Sequence, residues 1–146
     1  MTDHTQAIAN LVYSYAELLD TGDLAALGSL FDGAVVRAAG SDHEMYGAEA
    51  MRSLIEHTVR MYDGIPRTKH LITNLIIEVD DGERSATARS YYVALQALPN
   101  LVLQPILAGR WHDTFEFNQG RWRFVNRIIH NDLVGDISCH LNGFQN

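Results

Sequence analysis

LVLQPILAGRWHDTFEFNQGRWRFVNRIIH, residues 101–130, consists of two extended runs joined by a short polar connection. The runs cover roughly 101–117 and 121–130, and Asn118, Gln119 and Gly120 link them. Val, Ile, Phe and Trp suit a pleated, half-buried surface, and Gly120 can take a backbone dihedral that side-chain-bearing residues resist. The stretch predicts an antiparallel hairpin. In its second run Trp122, Phe124, Asn126, Ile128 and His130 share one parity, and Arg121, Arg123, Val125, Arg127 and Ile129 share the other. Alternation on a strand makes the first set a covered face and the second a wet one. Asn126 and His130 interrupt the covered face, as in a sheet that both packs a core and lines a pocket. Two satisfied polar residues on a mixed face are the plainer alternative.

Upstream of the hairpin, HLITNLIIE (residues 70–78) alternates as a strand, with His70, Ile72, Asn74 and Ile76 on one side. Asp80-Asp81-Gly82-Glu83 is a turn signal, and residues 84–98 form another extended run before Pro99-Asn100. At the N-terminal end, Ile8, Leu11, Val12, Tyr15, Leu18 and Leu19 recur at three- and four-residue intervals, predicting a helix over 5–19. Asp23 is placed to cap a second helix that buries Leu24, Leu27, Leu30 and Phe31. Short strands at 34–38 and 44–46 precede a third helix over 48–61, and Gly64 and Pro66 interrupt any continuation. From Leu133 onward the chain reads as a tail of small and polar residues. The order α-α-β-β-α-β-β-β-β implies helices collected against one sheet in a single α+β domain.

Composition narrows the function. The chain has 146 residues, 47% hydrophobic and 20% charged, with a net charge of −7. Such a balance fits a globular domain and disfavours a nucleic-acid backbone or an anionic membrane as the main partner. Arg121, Arg123 and Arg127 form one basic stripe, which a solvated strand face explains. The single cysteine, Cys139, permits no internal disulfide and has no local feature that activates a thiolate. The first residues do not resemble a signal peptide and no apolar run reaches membrane-spanning length, so a cytoplasmic location is expected. The seven histidines show no tight metal-binding spacing, and neither a phosphate-cradling glycine loop nor a dinucleotide fingerprint is present. No cofactor is implied.

A proton-transfer site is the chemistry that the remaining residues allow. His70 opens a buried-looking strand, and a carboxylate holding one of its ring nitrogens would leave the other free to abstract a proton. Asp20, at the end of the first helix on the side of its apolar stripe, is the candidate partner. Capping the neighbouring helix is the alternative role for Asp20, and periodicity alone does not bring the two side chains together. Arg89, in the middle of a strand-like run, is most simply a charge on the wet face.

Tyr13 with Leu19-Asp20 before the helix turn, His70-Leu71-Ile72-Thr73-Asn74-Leu75 at a strand start, and residues 109–124 across the hairpin carry a resemblance. Over roughly residues 8–133 the chain resembles the nuclear-transport-factor-2-like, or SnoaL-like, superfamily. Within it the pattern is similar to the scytalone-dehydratase-like branch, including the hexachlorocyclohexane dehydrochlorinase type. The resemblance implies a cone-shaped α+β barrel: a strongly curved, mixed but mainly antiparallel sheet, with three N-terminal helices, around a cavity. It also implies an Asp20–His70 dyad acting without a cofactor, with His70 as general base and Asp20 orienting it. The implied reaction is elimination from a compact cyclic or aromatic substrate. Tyr15 and Tyr46 are the nearest candidates for a substrate-polarising tyrosine pair, Asn126 and His130 would contact ligand oxygens, and Phe31, Ile72, Trp111 and Ile128 would form apolar walls, with ordinary core packing the alternative for each wall residue. The segment Thr114-Phe115-Glu116-Phe117-Asn118 contains no arginine to assist a departing halide, which disfavours dehydrochlorination. Matches to a second pocket histidine and a serine are also missing, which argues against scytalone itself. An isomerase, a polyketide-cyclase-like enzyme, and a noncatalytic small-molecule-binding or oxygenase-auxiliary subunit remain alternatives. The fold implies a homodimer or homotrimer.

Overall fold

The computed structural model describes residues 3–143. Three helices, α1 (His4–Thr21), α2 (Leu24–Ser29) and α3 (Gly47–Thr58), pack against a six-stranded mixed sheet. Its strands are β1 (Val35–Ala38), β2 (Met45–Tyr46), β3 (Thr68–Val79), β4 (Ser85–Leu98), β5 (Leu101–Asn118) and β6 (Arg121–Val134). Their spatial order is β2-β1-β6-β5-β4-β3. β1 runs parallel to β6 and every other neighbouring pair is antiparallel.

The expected cone-shaped barrel does not form. β2 and β3 lie at opposite edges, so the strands make an open sheet that is neither closed into a barrel nor strongly curved. Closure requires an unbroken ladder between the two end strands. β2 has only two residues and passes directly into α3 at Gly47, so it offers no ladder to complete the circle.

Local signals explain the helices. The Asp3 side chain accepts the Gln6 N–H at 2.9 Å to open α1, and Asp23 accepts the Ala26 N–H at 3.1 Å to open α2. Gly22 closes α1 in the left-handed conformation at φ 77°, where its N–H reaches the Leu18 and Leu19 carbonyls. The stripe Ile8, Val12, Tyr15 and Leu19 is buried against the sheet. α3 stops at Thr58, three residues before the expected end, because Val59 turns extended and pairs with Leu141. The presumed tail is thus docked as far as Asn142, residues 144–146 lying outside those described: Arg60 N–H donates to the His140 carbonyl and Asn142 N–H to that of Thr58.

Two bulges correct the expected strand faces. The β5–β6 register passes from Phe115↔Phe124 to Thr114↔Asn126, leaving Val125 as an extra residue. Beyond Val125 the alternation inverts. Arg127 and Ile129 therefore face inward with their partners Asp113 and Trp111, whereas Asn126, Ile128 and His130 join Thr114, His112 and Arg110 on the outer face. Arg127 is not part of a wet stripe: it is fully buried. The second bulge lies between Thr73 and Ile76 of β3, at Asn74, whose φ is 37°. Thr68 and Ile72 face inward before it, and Leu75, Ile77 and Val79 after it, in place of an unbroken 70-72-74-76 face.

Candidate active site

α1 and β3 meet along one edge of the sheet, and there Asp20 and His70 form a buried pair. His70 Nδ1 lies 2.7 Å from Asp20 Oδ1, with the two side chains only 6% and 7% exposed. Asp20 does not cap the neighbouring helix; Asp23 does that. Its carboxylate accepts two further bonds from β3: the Thr68 hydroxyl donates to Oδ1 at 2.7 Å and the His70 backbone N–H to Oδ2 at 2.8 Å. Both carboxylate oxygens are thereby fixed to one strand, and the imidazole is fixed to the carboxylate.

The electrostatics follow from these contacts. Burial opposes ionisation of Asp20, but the His70 ring bond, the His70 charge, the His70 backbone N–H and the Thr68 hydroxyl together hold its carboxyl below its ordinary range. An ionised Asp20 accepts the Nδ1 proton, so Nε2 carries the ring's lone pair. Such an imidazole can take a proton and have its positive form stabilised by the carboxylate behind it. A groove of about 550 Å³ runs beside the pair, with Tyr13, Ala16, Lys69 and Ile72 among its walls.

The other expected site residues distribute unevenly. Ile72 joins the dyad in this groove. Tyr15, Phe31 and Trp111 are buried together in the core, with the Tyr15 ring 5.0 Å from Trp111 and 5.8 Å from Phe31. Burial pushes the Tyr15 hydroxyl's pKa up, while the Arg127 charge works against that shift. Tyr46 is 69% exposed on β2, at the opposite edge of the sheet from the dyad. Asn126, Ile128 and His130 lie on the outer face, where His130 Nδ1 is 3.2 Å from an Arg110 nitrogen and its ring 4.9 Å from that of His112. The structure does not bring these four to the Asp20–His70 pair.

A second buried charge pair occupies the middle of the sheet and was hidden by the strand pattern. Arg127 Nε and Nη2 donate to Asp113 Oδ1 and Oδ2 at 2.7 and 2.8 Å. The guanidinium also lies 4.0 Å from the Trp111 ring centroid and 4.7 Å from that of Tyr15. Such contacts suit the delocalised, weakly hydrated guanidinium. The readable signal was only an aspartate and an arginine on adjoining strands, and the bulge at Val125 was needed to turn the arginine inward.

Comparison with known proteins agrees with this architecture. A family model described as the SnoaL-like domain matches residues 2–128. An NTF2-like protein with a cystatin-like fold from Novosphingobium aromaticivorans superposes with a TM-score of 0.74 at 21% identity, covering 89% of this chain and 82% of that one. A variant of Rv3472, a protein of unknown function from Mycobacterium tuberculosis, gives 0.73 at 25% identity over 89% and 72%. A provisionally assigned scytalone dehydratase from Novosphingobium aromaticivorans gives 0.71 at 24% identity over 93% and 91%. No curated protein sequence matches the chain. Among the described residues, no helix is long and apolar enough to cross a membrane.

Proposed function

The chain belongs to the SnoaL-like family, and within it we propose a cofactor-independent lyase of the dehydratase type, acting on a compact cyclic or aromatic substrate. The buried His–Asp pair and the family together support an enzyme acting on a small molecule. The finer reading rests on one observation: Asp20 holds His70 by both its ring and its backbone, leaving one ring nitrogen to act as a base.

In this reaction His70 Nε2 removes a proton from a carbon made acidic by a neighbouring carbonyl or ring. The electron pair left on carbon forms the new double bond as the adjacent carbon–oxygen bond breaks. The departing oxygen takes up the proton held by the imidazolium, so one water is lost and the enzyme returns to its starting state. Asp20 stabilises the intermediate imidazolium without accepting its proton.

The test uses a panel of compact cyclic β-hydroxy ketones, followed by mass spectrometry. Loss of one water identifies the lyase, whereas conversion at constant mass identifies an isomerase using the same base. His70→Ala and Asp20→Asn each lower turnover by about 10²–10⁴-fold while the fold is retained. Undiminished turnover by folded His70→Ala sinks the mechanism.

A further inference from the structure

Thr68-Lys69-His70 opens β3, and residues two apart on a strand present their side chains to the same face. Asp20 of α1 meets that face, and three donors from Thr68 and His70 share its two oxygens. The Thr68 hydroxyl and His70 Nδ1 both reach Oδ1, each at 2.7 Å, while the His70 backbone N–H takes Oδ2 at 2.8 Å. Side-chain hydroxyls bond mostly to backbone or water, whereas this one reaches a carboxylate 48 residues away in sequence.

Two of the three bonds come from His70 itself. They hold ring and carboxylate to each other but leave the two free to shift as a unit. Among the described residues, the Thr68 hydroxyl is the one donor to the Asp20 carboxylate from outside the pair. Thr68 suits that role because it is itself held in place. It is buried, stands opposite the fully buried Gln96 of β4, and carries a branched Cβ that restricts χ1. The bond also bears on charge. Burial opposes ionisation of Asp20, and the Thr68 hydroxyl is the one contact outside His70 among those that outweigh it. The other titratable groups around this carboxylate are Tyr15 and Glu17 of α1, Lys69 of β3, and His140 of the docked C-terminal segment.

We propose that Thr68 is a positioning residue of the dyad: its hydroxyl anchors Asp20 Oδ1 beside the ring, and through that oxygen fixes where His70 presents Nε2. A reacting group displaced by about 1 Å can lose about 10²-fold in rate, so an anchor outside the pair matters to the chemistry. Valine at position 68 keeps the branched shape and leaves the carboxylate held by His70 alone. Serine keeps the hydroxyl on a less restricted χ1. The catalytic arm of this inference rests on the dehydratase reading, but the hold on Asp20 is measurable without any substrate.

Thr68→Val and Thr68→Ser, each checked for native circular dichroism, are compared with the native full chain, and Thr68→Ala replaces the valine variant if valine disturbs the fold. The Asp20 carboxyl carbon, assigned by comparison with Asp20→Asn, is followed by ¹³C NMR from pH 7 downward. Its titration moves to higher pH in Thr68→Val and keeps its native position in Thr68→Ser. On the β-hydroxy ketone panel, kcat of Thr68→Val falls about tenfold with KM within about twofold of native, and serine restores most of the loss. An unmoved Asp20 titration in folded Thr68→Val overturns the inference, whether or not the native chain dehydrates any ketone of the panel. Undiminished kcat in Thr68→Val overturns it too, as does a serine variant as impaired as the valine one, which would assign the effect to packing. If the titration moves while the native chain leaves the whole panel unchanged, the hold on Asp20 stands and the dehydratase reading falls.

Discussion

Replacing Asp113 by Asn leaves the shape of the central ion pair intact and removes its charge. Two bonds of 2.7 and 2.8 Å now hold Arg127, and neither side chain is more than 1% exposed. An asparagine can offer only its oxygen to one of the two donors, and its NH₂ then faces the other. Breaking a buried pair from one side typically costs about 3–5 kcal/mol because the remaining charge has no solvent to fall back on. The rings around the guanidinium offset part of this, since a desolvated cation–π contact is worth up to about 2 kcal/mol. The expected loss is therefore about 3 kcal/mol, a large share of the roughly 5–15 kcal/mol that holds a domain folded. Urea unfolding measures it, with far-UV circular dichroism for the whole chain and tryptophan fluorescence for Trp111 against the guanidinium. A loss below about 1 kcal/mol refutes the reasoning. Asp113→Leu combined with Arg127→Met should lie closer to the native protein than either single change, because it removes both charges. A double variant as unstable as the sum of the singles would assign the cost to packing instead.

Two further expectations concern pH and the helix end. His140 has a pKa of about 4 in the fold against an ordinary value of 6.5, so the unfolded chain binds its proton first as pH falls. Its contribution is fully present above pH 6.5 and is lost between there and about pH 4, amounting to about 3 kcal/mol. The urea midpoint followed from pH 7 to 4 should decline less steeply in His140→Leu, and an unchanged slope refutes the assignment. Gly22→Ala puts a methyl carbon 2.0 Å from the Gly64 carbonyl oxygen while asking alanine to hold φ 77°. It should cost at least about 2 kcal/mol in the same unfolding assay and displace Asp20, two residues away; a native midpoint would show that this close approach relaxes freely.

The elements were legible because their periodicities are strong. α1 shows a continuous apolar stripe, Asp23 caps α2 where its side chain predicts, and the paired runs around Gly120 form the expected hairpin. Asp20 and His70 are fifty residues apart, and only the resemblance placed them together; their contact is a product of helix-on-strand packing that no local pattern encodes. The bulges were harder. Asn74 is a residue type that tolerates positive φ and gave a faint signal, whereas Val125 is an ordinary strand former and gave none. Missing that one residue reversed the faces of Asn126, Arg127, Ile128 and His130. The open sheet escaped for a different reason: strand alternation reports which side is covered, and says nothing about whether the end strands meet. His140 was hidden in a stretch whose composition reads as tail, because its burial depends on long-range docking against α3.

The hydrogen bond from the His70 backbone to Asp20 also bears on how the protein behaves in a crowded solution. β3 is a long edge strand, with Leu71 and Ile76 partly exposed along it. An edge of this kind offers free N–H groups as a template to any extended chain that approaches. Asp20 occupies one such donor from the side and brings α1 against the strand. The carboxylate proposed for proton chemistry thus also covers one donor of this edge. Asp20→Ala, which cannot accept this N–H, should therefore aggregate more readily than His70→Ala, as light scattering would show.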